Sequence, residues 1–211
     1  MIVAASLLAA DPARFGDDIL AAERAGARYL HIDVMDGVFV PNISFGPGIV
    51  AGLRRVSSMF FDVHLMVAKP EPLIGAFISA GADSITLHIE SSCAISRIAR
   101  DFKKRNVRFG VALSPKTEIS QIAGIINEID ILLLMSVTPG FGGQTFMNET
   151  VSRIAEVKRL RERAGAKFLI SVDGGINEQT AWLCEDADIL VSGSYIFKAA
   201  DKAAAVAALS R

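Results

Sequence analysis

Eight short apolar segments alternate with eight helix-like segments along the 211 residues of the chain. This alternation predicts the α/β fold class and, within it, a single (β/α)8 TIM barrel that spans residues 1–211. The apolar segments are continuous, which is typical of strands buried on both faces of a parallel sheet. The alternative, an open doubly wound sheet, usually has a glycine-rich turn after its first strand. Residues 6–9, which follow the first segment, read Ser-Leu-Leu-Ala and contain no glycine.

The predicted strands are short apolar runs bounded by turn residues and helix-start signals. No linker or low-complexity stretch separates them, so we expect one domain rather than two. The strands are predicted over residues 2–6, 29–33, 60–66, 84–87, 109–113, 131–135, 168–172 and 189–192.

The predicted helices begin at capping residues or prolines, and several end before a glycine. Asp11 with Pro12, Thr117 and Asn177 are typical start signals, and Gly165 is a typical stop signal. The helices are predicted over residues 12–25, 47–55, 70–80, 92–104, 117–127, 148–163, 177–184 and 201–209.

Composition excludes several classes of partner. The net charge of -1 gives no basic surface for nucleic acid or an anionic membrane. The strongly apolar run 129–137 contains Asp130 and is far shorter than the ~20 residues that span a bilayer. The sequence does not open with a charged leader and an apolar stretch, so we expect a cytoplasmic protein. Cys93 and Cys184 lie far apart, which indicates two reduced thiols.

Polar residues follow most of the predicted strands. In barrels of this kind the catalytic groups lie at the C-terminal ends of the strands. All three histidines of the chain fall at such ends, whereas chance would scatter them over helices and loops. In strand order, the end residues are Ser6; His31, Asp33, Met35 and Asp36; His64 and Met66; His88 and Glu90; Ser114; Met135 and Ser136; Asp173; and Ser192, Gly193 and Ser194.

Two imidazoles and two carboxylates converge if the barrel forms. His31 and Asp33 are two residues apart on one strand, so they point to the same face. With His64 and Asp173 they make a ligand set that suits Zn, Mn, Fe or Co as a divalent cation. The alternative is a set of hydrogen-bonded pocket histidines without a metal. His88 is a weaker candidate ligand than His64 and is expected to contact a ligand instead.

Three glycine-containing loops follow the sixth, seventh and eighth strands. Glycine lets backbone N–H groups approach an anion closely, and a phosphate site in this region is a recurrent barrel feature. We therefore predict a phosphate site, with a short helix at 195–197; the alternative is that each glycine only makes a tight turn. The residues are Gly140, Phe141, Gly142 and Gly143; Gly174 and Gly175; and Gly193 and Ser194.

Three methionines, Met35, Met66 and Met135, each lie at the end of a predicted strand. Thioether side chains are bulky, flexible and apolar. We interpret them as the wall of a water-poor pocket; the alternative is that they only fill the top of the barrel.

Together these motifs resemble ribulose-phosphate 3-epimerases along essentially the whole chain. The resemblance implies a TIM barrel that interconverts D-ribulose 5-phosphate and D-xylulose 5-phosphate, a phosphorylated ketose substrate and a homo-oligomer. It implies that His31, Asp33, His64 and Asp173 bind one divalent metal cation, with Asp33 and Asp173 as the acid/base pair. It also implies substrate binding by Ser6, His64, Gly140, Phe141, Gly142, Gly143, Gly174, Gly175, Gly193 and Ser194. The matching motifs are His31-Ile-Asp-Val-Met-Asp-Gly-Val-Phe-Val-Pro-Asn42, Asp62-Val-His-Leu-Met66, Met135-Ser-Val-Thr-Pro-Gly-Phe-Gly-Gly-Gln144, Val172-Asp-Gly-Gly-Ile176 and Gly193-Ser-Tyr-Ile-Phe197.

Three positions depart from the family pattern and leave other functions open. Val38 stands where the family often has His, Ile89 where it often has Pro or Tyr, and Ser114 where it often has Asn. Allulose-6-phosphate 3-epimerase, which shares the core motifs, is therefore an alternative. A metal-free phosphate-binding barrel and a non-catalytic sugar-phosphate sensor are further ones. A Schiff-base aldolase needs a lysine at a strand end, and Lys116, beyond a proline, is poorly placed.

Overall fold

The barrel predicted from the sequence is confirmed by a computed structural model, which describes residues 1–210. Eight parallel strands form a closed barrel in which each strand pairs with its neighbours in sequence and the last pairs with the first. Arg211, the end of the predicted domain, lies outside the described residues. The strands are β1 (Ile2–Ser6), β2 (Tyr29–Met35), β3 (Phe60–Met66), β4 (Ser84–His88), β5 (Arg108–Leu113), β6 (Ile131–Met135), β7 (Leu169–Asp173) and β8 (Ile189–Ser192).

The helices cover the outside of the barrel, and three residues cap helix ends, of which Asn177 and Gly165 are predicted caps. Asn177 accepts from the backbone N–H groups of Gln179 and Thr180, Asp201 accepts from Ala204, and Gly165 has a positive φ of 61°. Among residues 1–210, no helix is long and apolar enough to cross a membrane. The helices are α1 (Phe15–Arg24), α2 (Pro47–Arg54), α3 (Glu71–Ser79), α4 (Ile95–Phe102), α5 (Glu149–Ala164), α6 (Glu178–Ala181), α7 (Ser194–Phe197) and α8 (Lys202–Leu209).

Four of the predicted helix segments are wrong in type or extent. Asp11 caps a 3-10 helix, Pro12–Arg14. The helix α1 begins at Phe15, three residues after the predicted start at Pro12. The helix predicted from Ser92 begins at Ile95. The segment predicted as 177–184 divides into α6 and a 3-10 helix, Trp182–Cys184.

The helix predicted over 117–127 is the largest error. The structure has a 3-10 helix at Ile119–Ile122 followed by turns, so α-helix is absent from this crossover within the described residues. Apolar spacing does not distinguish the two kinds of helix here. The buried Ile119, Ile122 and Ile125 follow the 3-10 repeat, whereas Ile119, Ile122 and Ile126 follow the α-helical one. Gly124 disfavours an α-helix.

An aromatic layer closes the barrel at the N-terminal ends of the strands. The rings of Tyr29 and Phe60, first residues of β2 and β3, stack with their centroids 4.3 Å apart. The guanidinium of Arg108, at the start of β5, lies 5.1 Å from the centre of Phe60 and donates to the Tyr29 hydroxyl at 3.1 Å. The functional groups therefore have access to solvent at the opposite, C-terminal end.

A polar layer lies above the aromatic layer, inside the barrel. The Asp62 carboxylate accepts from Ser84 Oγ at 2.6 Å and from Thr86 Oγ1 at 3.1 Å. Gly110 pairs with Thr86 across β4 and β5. A Cβ on Gly110 would lie 2.2 Å from Thr86 Oγ1 and 3.2 Å from its Cα. Only glycine leaves space for the Thr86 hydroxyl to reach Asp62.

We predict that Gly110→Ala lowers the free energy of unfolding by roughly 1–3 kcal/mol, because the added methyl overpacks the barrel interior. Gly52→Ala is the matched control: Gly52 lies in α2, and no atom lies within 4 Å of the place that a Cβ would occupy there. The control is expected to raise stability by roughly 0.5–1 kcal/mol. Urea unfolding of both variants measures the difference, and equal stability of Gly110→Ala and the parent would contradict this packing.

Candidate active site

Four side chains converge at the C-terminal end of the barrel. One ligand atom from each of His31, Asp33, His64 and Asp173 lies within 4.8 Å of all the others. His31 Nε2 is 3.3 Å from Asp33 Oδ1 and 3.9 Å from Asp173 Oδ2, and His64 Nδ1 is 3.2 Å from Asp33 Oδ1. The register pairs Asp33 with His64 across β2 and β3. Strand register therefore brings Asp33 and His64 together, and closure of the barrel brings Asp173 of β7 to them.

His31 is held between carboxylates on two sides. Its Nδ1 lies 2.8 Å from Asp62 Oδ2, so its Nε2 faces Asp33 and Asp173. Burial would lower the pKa of His31, but the negative charges of Asp33 and Asp62 raise it well above its ordinary value. A cation that binds at Nε2 therefore has to displace a proton.

The two carboxylates of the cluster have opposite pKa shifts. Burial would raise the pKa of Asp33, but the charges and hydrogen bonds of His31 and His64 lower it far below its ordinary range. Burial, with the charge of Asp33, raises the pKa of Asp173 to about 7. Ser6 Oγ donates to Asp33 Oδ2 at 2.9 Å and fixes the orientation of that carboxylate.

The donor set fits a divalent cation. Two imidazole nitrogens and two carboxylate oxygens are ligands that Zn, Mn, Fe and Co all accept. A cation would also neutralise the repulsion that raises the pKa of Asp173. The cluster could therefore hold one metal ion.

His88 lies outside the cluster of four. Its Nε2 is 2.9 Å from Nε2 of His64, on the side of that ring away from Asp33. Its Nδ1 is 3.0 Å from Glu90 Oε2. His88 thus contacts a candidate ligand rather than the candidate metal position.

A cavity of about 530 Å³ opens beside the cluster. Among the described residues, no lysine or arginine lines it. Of the predicted substrate residues, only His64 is absent from the lining, because it is fully buried behind Asp33. The predicted residues that line the cavity are Ser6, Asp33, Met35, Met66, Met135, Gly140, Phe141, Gly142, Gly143, Asp173, Gly174, Gly175, Gly193 and Ser194.

The loop glycines differ in how closely neighbouring atoms approach them. Gly174 and Gly175 have positive φ angles of 122° and 65°, and a Cβ on Gly175 would lie 2.5 Å from the backbone nitrogen of Phe146. Tight packing between the loops after β6 and β7 therefore explains these two. Gly142 and Gly143 have no atom closer than 3.9 Å to a Cβ position, so the backbone beside them is open. The short helix predicted at 195–197 is α7.

The three methionines are buried at the cavity wall. Met35 and Met66 pack together with Val40, and Met135 packs in a separate cluster with Ala112. Their exposed fractions are 4%, 2% and 2% for Met35, Met66 and Met135, so they present apolar surface on which little water can lie.

Sequence reasoning missed two polar contacts that shape the site. Asp62 contacts His31, and a signal for it exists, because Asp62 and His64 repeat on β3 the i, i+2 spacing of His31 and Asp33 on β2. Asn42 Nδ2 donates to the Gly140 carbonyl at 2.9 Å and joins the loops after β2 and β6. No sequence signal identifies that second contact, because it joins residues 98 apart.

The chain resembles solved structures at low sequence identity and curated proteins at much higher identity. A crystal structure of KGPDC from Streptococcus mutans has a TM-score of 0.70 at 19% identity, covering 98% of this chain and 94% of that one. At this identity the likeness supports the fold alone. Ribulose-phosphate 3-epimerase of Bacillus subtilis is 44% identical over 207 residues, covering 97% of this chain and 95% of the relative.

The same family extends to plants. The chloroplastic ribulose-5-phosphate-3-epimerase of Arabidopsis thaliana is 40% identical over 210 residues, covering 98% of this chain and 75% of the relative. The model of the ribulose-phosphate 3 epimerase family matches residues 2–197. With full-length likeness at this identity, the chain belongs to the ribulose-phosphate 3-epimerase family and is an isomerase.

Proposed function

We propose that the protein interconverts D-ribulose 5-phosphate and D-xylulose 5-phosphate by moving a proton at C3 between Asp33 and Asp173. The observation that carries the proposal is the pair of carboxylates at the cavity with opposite pKa shifts. In the metal-free protein near neutral pH, Asp33 is ionised and Asp173 exchanges a proton with its surroundings, because its pKa is raised to about 7. A proton-transferring pair of groups needs that difference.

Each carboxylate serves one face of the substrate carbon. The hydrogen at C3 is acidic because it lies α to the C2 carbonyl. One carboxylate removes it and leaves an enediolate, and the other returns a proton from the opposite side. Addition from the opposite face inverts C3, and the two groups exchange roles in the reverse reaction. The Ser6 hydroxyl orients Asp33 for this step through its 2.9 Å hydrogen bond.

The cluster of four residues would hold one divalent cation, Zn, Fe, Mn or Co. When bound, the cation supplies Lewis-acid stabilisation of the negative charge that develops on the substrate oxygens. His31 and His64 would bind it as neutral ligands, and Asp33 and Asp173 would bind it through carboxylate oxygens. The methionine wall keeps water away from the developing charge.

The phosphate would bind to the glycine loops. The backbone around Gly142 and Gly143 is open, and Ser194 adds a hydroxyl at the same cavity. Because no basic side chain of the described residues lines the cavity, backbone N–H groups and hydroxyls have to bind the anion. Fixing this end of the substrate orients C3 between the carboxylates.

Allulose 6-phosphate is the second candidate substrate, whereas membership of an isomerase family argues against the non-catalytic sugar-phosphate-binding barrel that the sequence left open. The three departures from the family pattern, Val38, Ile89 and Ser114, do not line the cavity. A cytoplasmic location and homo-oligomeric assembly stay predictions.

An epimerase assay on both sugar phosphates, with and without a chelator, tests the proposed substrate. We expect turnover of ribulose 5-phosphate, little turnover of allulose 6-phosphate, and loss of activity with the chelator that added cation restores. Faster turnover of allulose 6-phosphate would reverse the assignment. Binding of either sugar without turnover would contradict the proposed function.

Asp33→Asn and Asp173→Asn, made separately, test the two carboxylates. Each variant is expected to lose epimerisation by at least about 100-fold, because one face of C3 then lacks its acid or base. Asp17→Asn is the matched control, since this carboxylate is exposed on α1. Near-normal epimerisation by either cluster variant would exclude the two-carboxylate scheme.

The raised pKa of Asp173 predicts how the metal-free protein responds to pH. The folded state holds the proton up to a pKa of about 7, whereas the unfolded chain loses it near 3.8. The free energy of unfolding therefore falls as pH rises between these values and levels off above about pH 7. Asp173→Asn removes this titration, so its melting-temperature advantage over the metal-free parent should be several degrees larger at about pH 8 than at about pH 5. A constant difference would contradict the raised pKa.

A further inference from the structure

We propose that Asn42 is a positioning residue for the substrate's phosphate: it holds the Gly140 carbonyl and thereby directs the Phe141 N–H at the anion. The proposal deepens the proposed function and rests on its phosphate site in the glycine loops. Asn42 does not line the cavity, so it acts only through the loop that it holds.

The contact joins loops from opposite sides of the barrel. β2 and β6 lie four strands apart in either direction around the closed barrel, so the β2 loop (residues 36–46) and the β6 loop (residues 136–148) begin across the mouth from each other. Asn42 Nδ2 donates to the Gly140 carbonyl at 2.9 Å. A Cβ on Gly140 would lie 3.2 Å from Val40 Cβ, so the two loops are in close contact there. The β2 loop therefore supports the β6 loop from across the mouth.

The β2 loop is a fixed support. The Asp36 carboxylate accepts from the Ala68 backbone N–H at 2.9 Å and from two backbone N–H groups of its own loop. At the other end of the loop, the Ser44 hydroxyl donates to the Asp33 carbonyl. Asn42 is therefore held at a fixed place relative to the strand end that carries Asp33.

The surroundings determine which way the Asn42 amide faces. Its Oδ1 accepts from the Ile43 backbone N–H at 2.9 Å, so its NH2 group faces the Gly140 carbonyl. An aspartate in this place would keep the acceptor for Ile43 but would direct its second oxygen at the carbonyl oxygen. The site therefore requires a donor, and the amide supplies it.

A held carbonyl fixes the N–H group of the same peptide. The peptide between Gly140 and Phe141 is planar and trans, so the Phe141 N–H points away from the Gly140 carbonyl and from Asn42. Gln144 Nε2 donates to the Phe141 carbonyl at 2.8 Å and fixes the Gly142 N–H in the same way. Among residues 1–210, neither of these two N–H groups donates to a protein acceptor, so both are available to an anion.

The base of the β6 loop is held independently of Asn42. Ser136 Oγ donates to the Gly174 carbonyl at 2.6 Å, which joins this base to the loop after β7. Loss of the Asn42 contact therefore frees the turn at Gly140 without detaching the loop. Because no basic side chain of the described residues lines the cavity, affinity for a phosphate depends on how the few N–H groups are directed.

Two substitutions of Asn42 separate the lost donor from an added charge. Asn42→Asp keeps the shape but directs an oxygen at the Gly140 carbonyl, whereas Asn42→Ala removes the donor and adds no charge. Agreement between them excludes a purely electrostatic effect on the anion. Asn106→Asp is the matched control, because Asn106 is exposed in the segment before β5, at the opposite end of the barrel.

The first measurement is steady-state epimerisation of ribulose 5-phosphate in the presence of the divalent cation, with inorganic phosphate as a competitive inhibitor. Both Asn42 variants are expected to raise KM and the inhibition constant of phosphate about 10-fold, because a hydrogen bond to a charged group is weakened. We expect kcat to change much less than KM, and Asn106→Asp to behave as the parent. Parent values of KM and of the inhibition constant in both Asn42 variants, or a loss confined to kcat, would overturn the proposal.

The second measurement is the amide NMR spectrum of the full-length protein during titration with inorganic phosphate. The Phe141 amide proton is expected to move downfield in the parent and in Asn106→Asp, and to move less in both Asn42 variants. An unshifted Phe141 amide in the parent would overturn the proposal, and this result needs no variant to fold. Absence of epimerisation by the parent would count against the proposed function instead, so the two failures are distinguishable.

Discussion

Two neighbouring carboxylates at the end of a buried barrel cannot both be ionised unless positive charge lies beside them. Asp33 and Asp173 meet this constraint with opposite pKa shifts, and His31 lies between them and Asp62. The rest of the site follows from it. Histidines and hydroxyls that orient the carboxylates fill one side of the barrel interior, and the cavity with its glycine loops lies on the other.

The need of buried carboxylates for polar partners also makes the two sides of the barrel interior different. TIM barrels usually fill their centre with branched apolar residues. Here β2, β3 and β4 contribute polar side chains, His31, Asp62 and Thr86 among them, whereas β6 and β8 contribute Leu133 and Val191. Burying polar groups is costly unless each has a partner. Neighbouring strands supply these partners. Gly110 on β5 contributes by leaving room for the Thr86 hydroxyl.

The sequence predicts those residues of the site that are identified by local periodicity or by their position at a strand end. The spacing of His31 and Asp33, and the position of Asp173 at the end of an apolar run, are local signals that survive in the structure. The prediction for the crossover after β5 is wrong because isoleucines three residues apart fit two kinds of helix. The i, i+2 spacing of His88 and Glu90 is a local signal of the same kind, but the contact of Glu90 with Ser114 is not, because it joins different loops.

The aromatic layer of Tyr29, Phe60 and Arg108 has a kinetic consequence. It seals one end of the barrel, so the cavity mouth is the route by which a carboxyl hydrogen equilibrates with bulk water. If the sugar phosphate binds in this mouth as proposed, it obstructs that route. An isotope label abstracted from the substrate would then stay in the protein until the product departs, and the lifetime of the bound product would govern how much of the label returns to sugar.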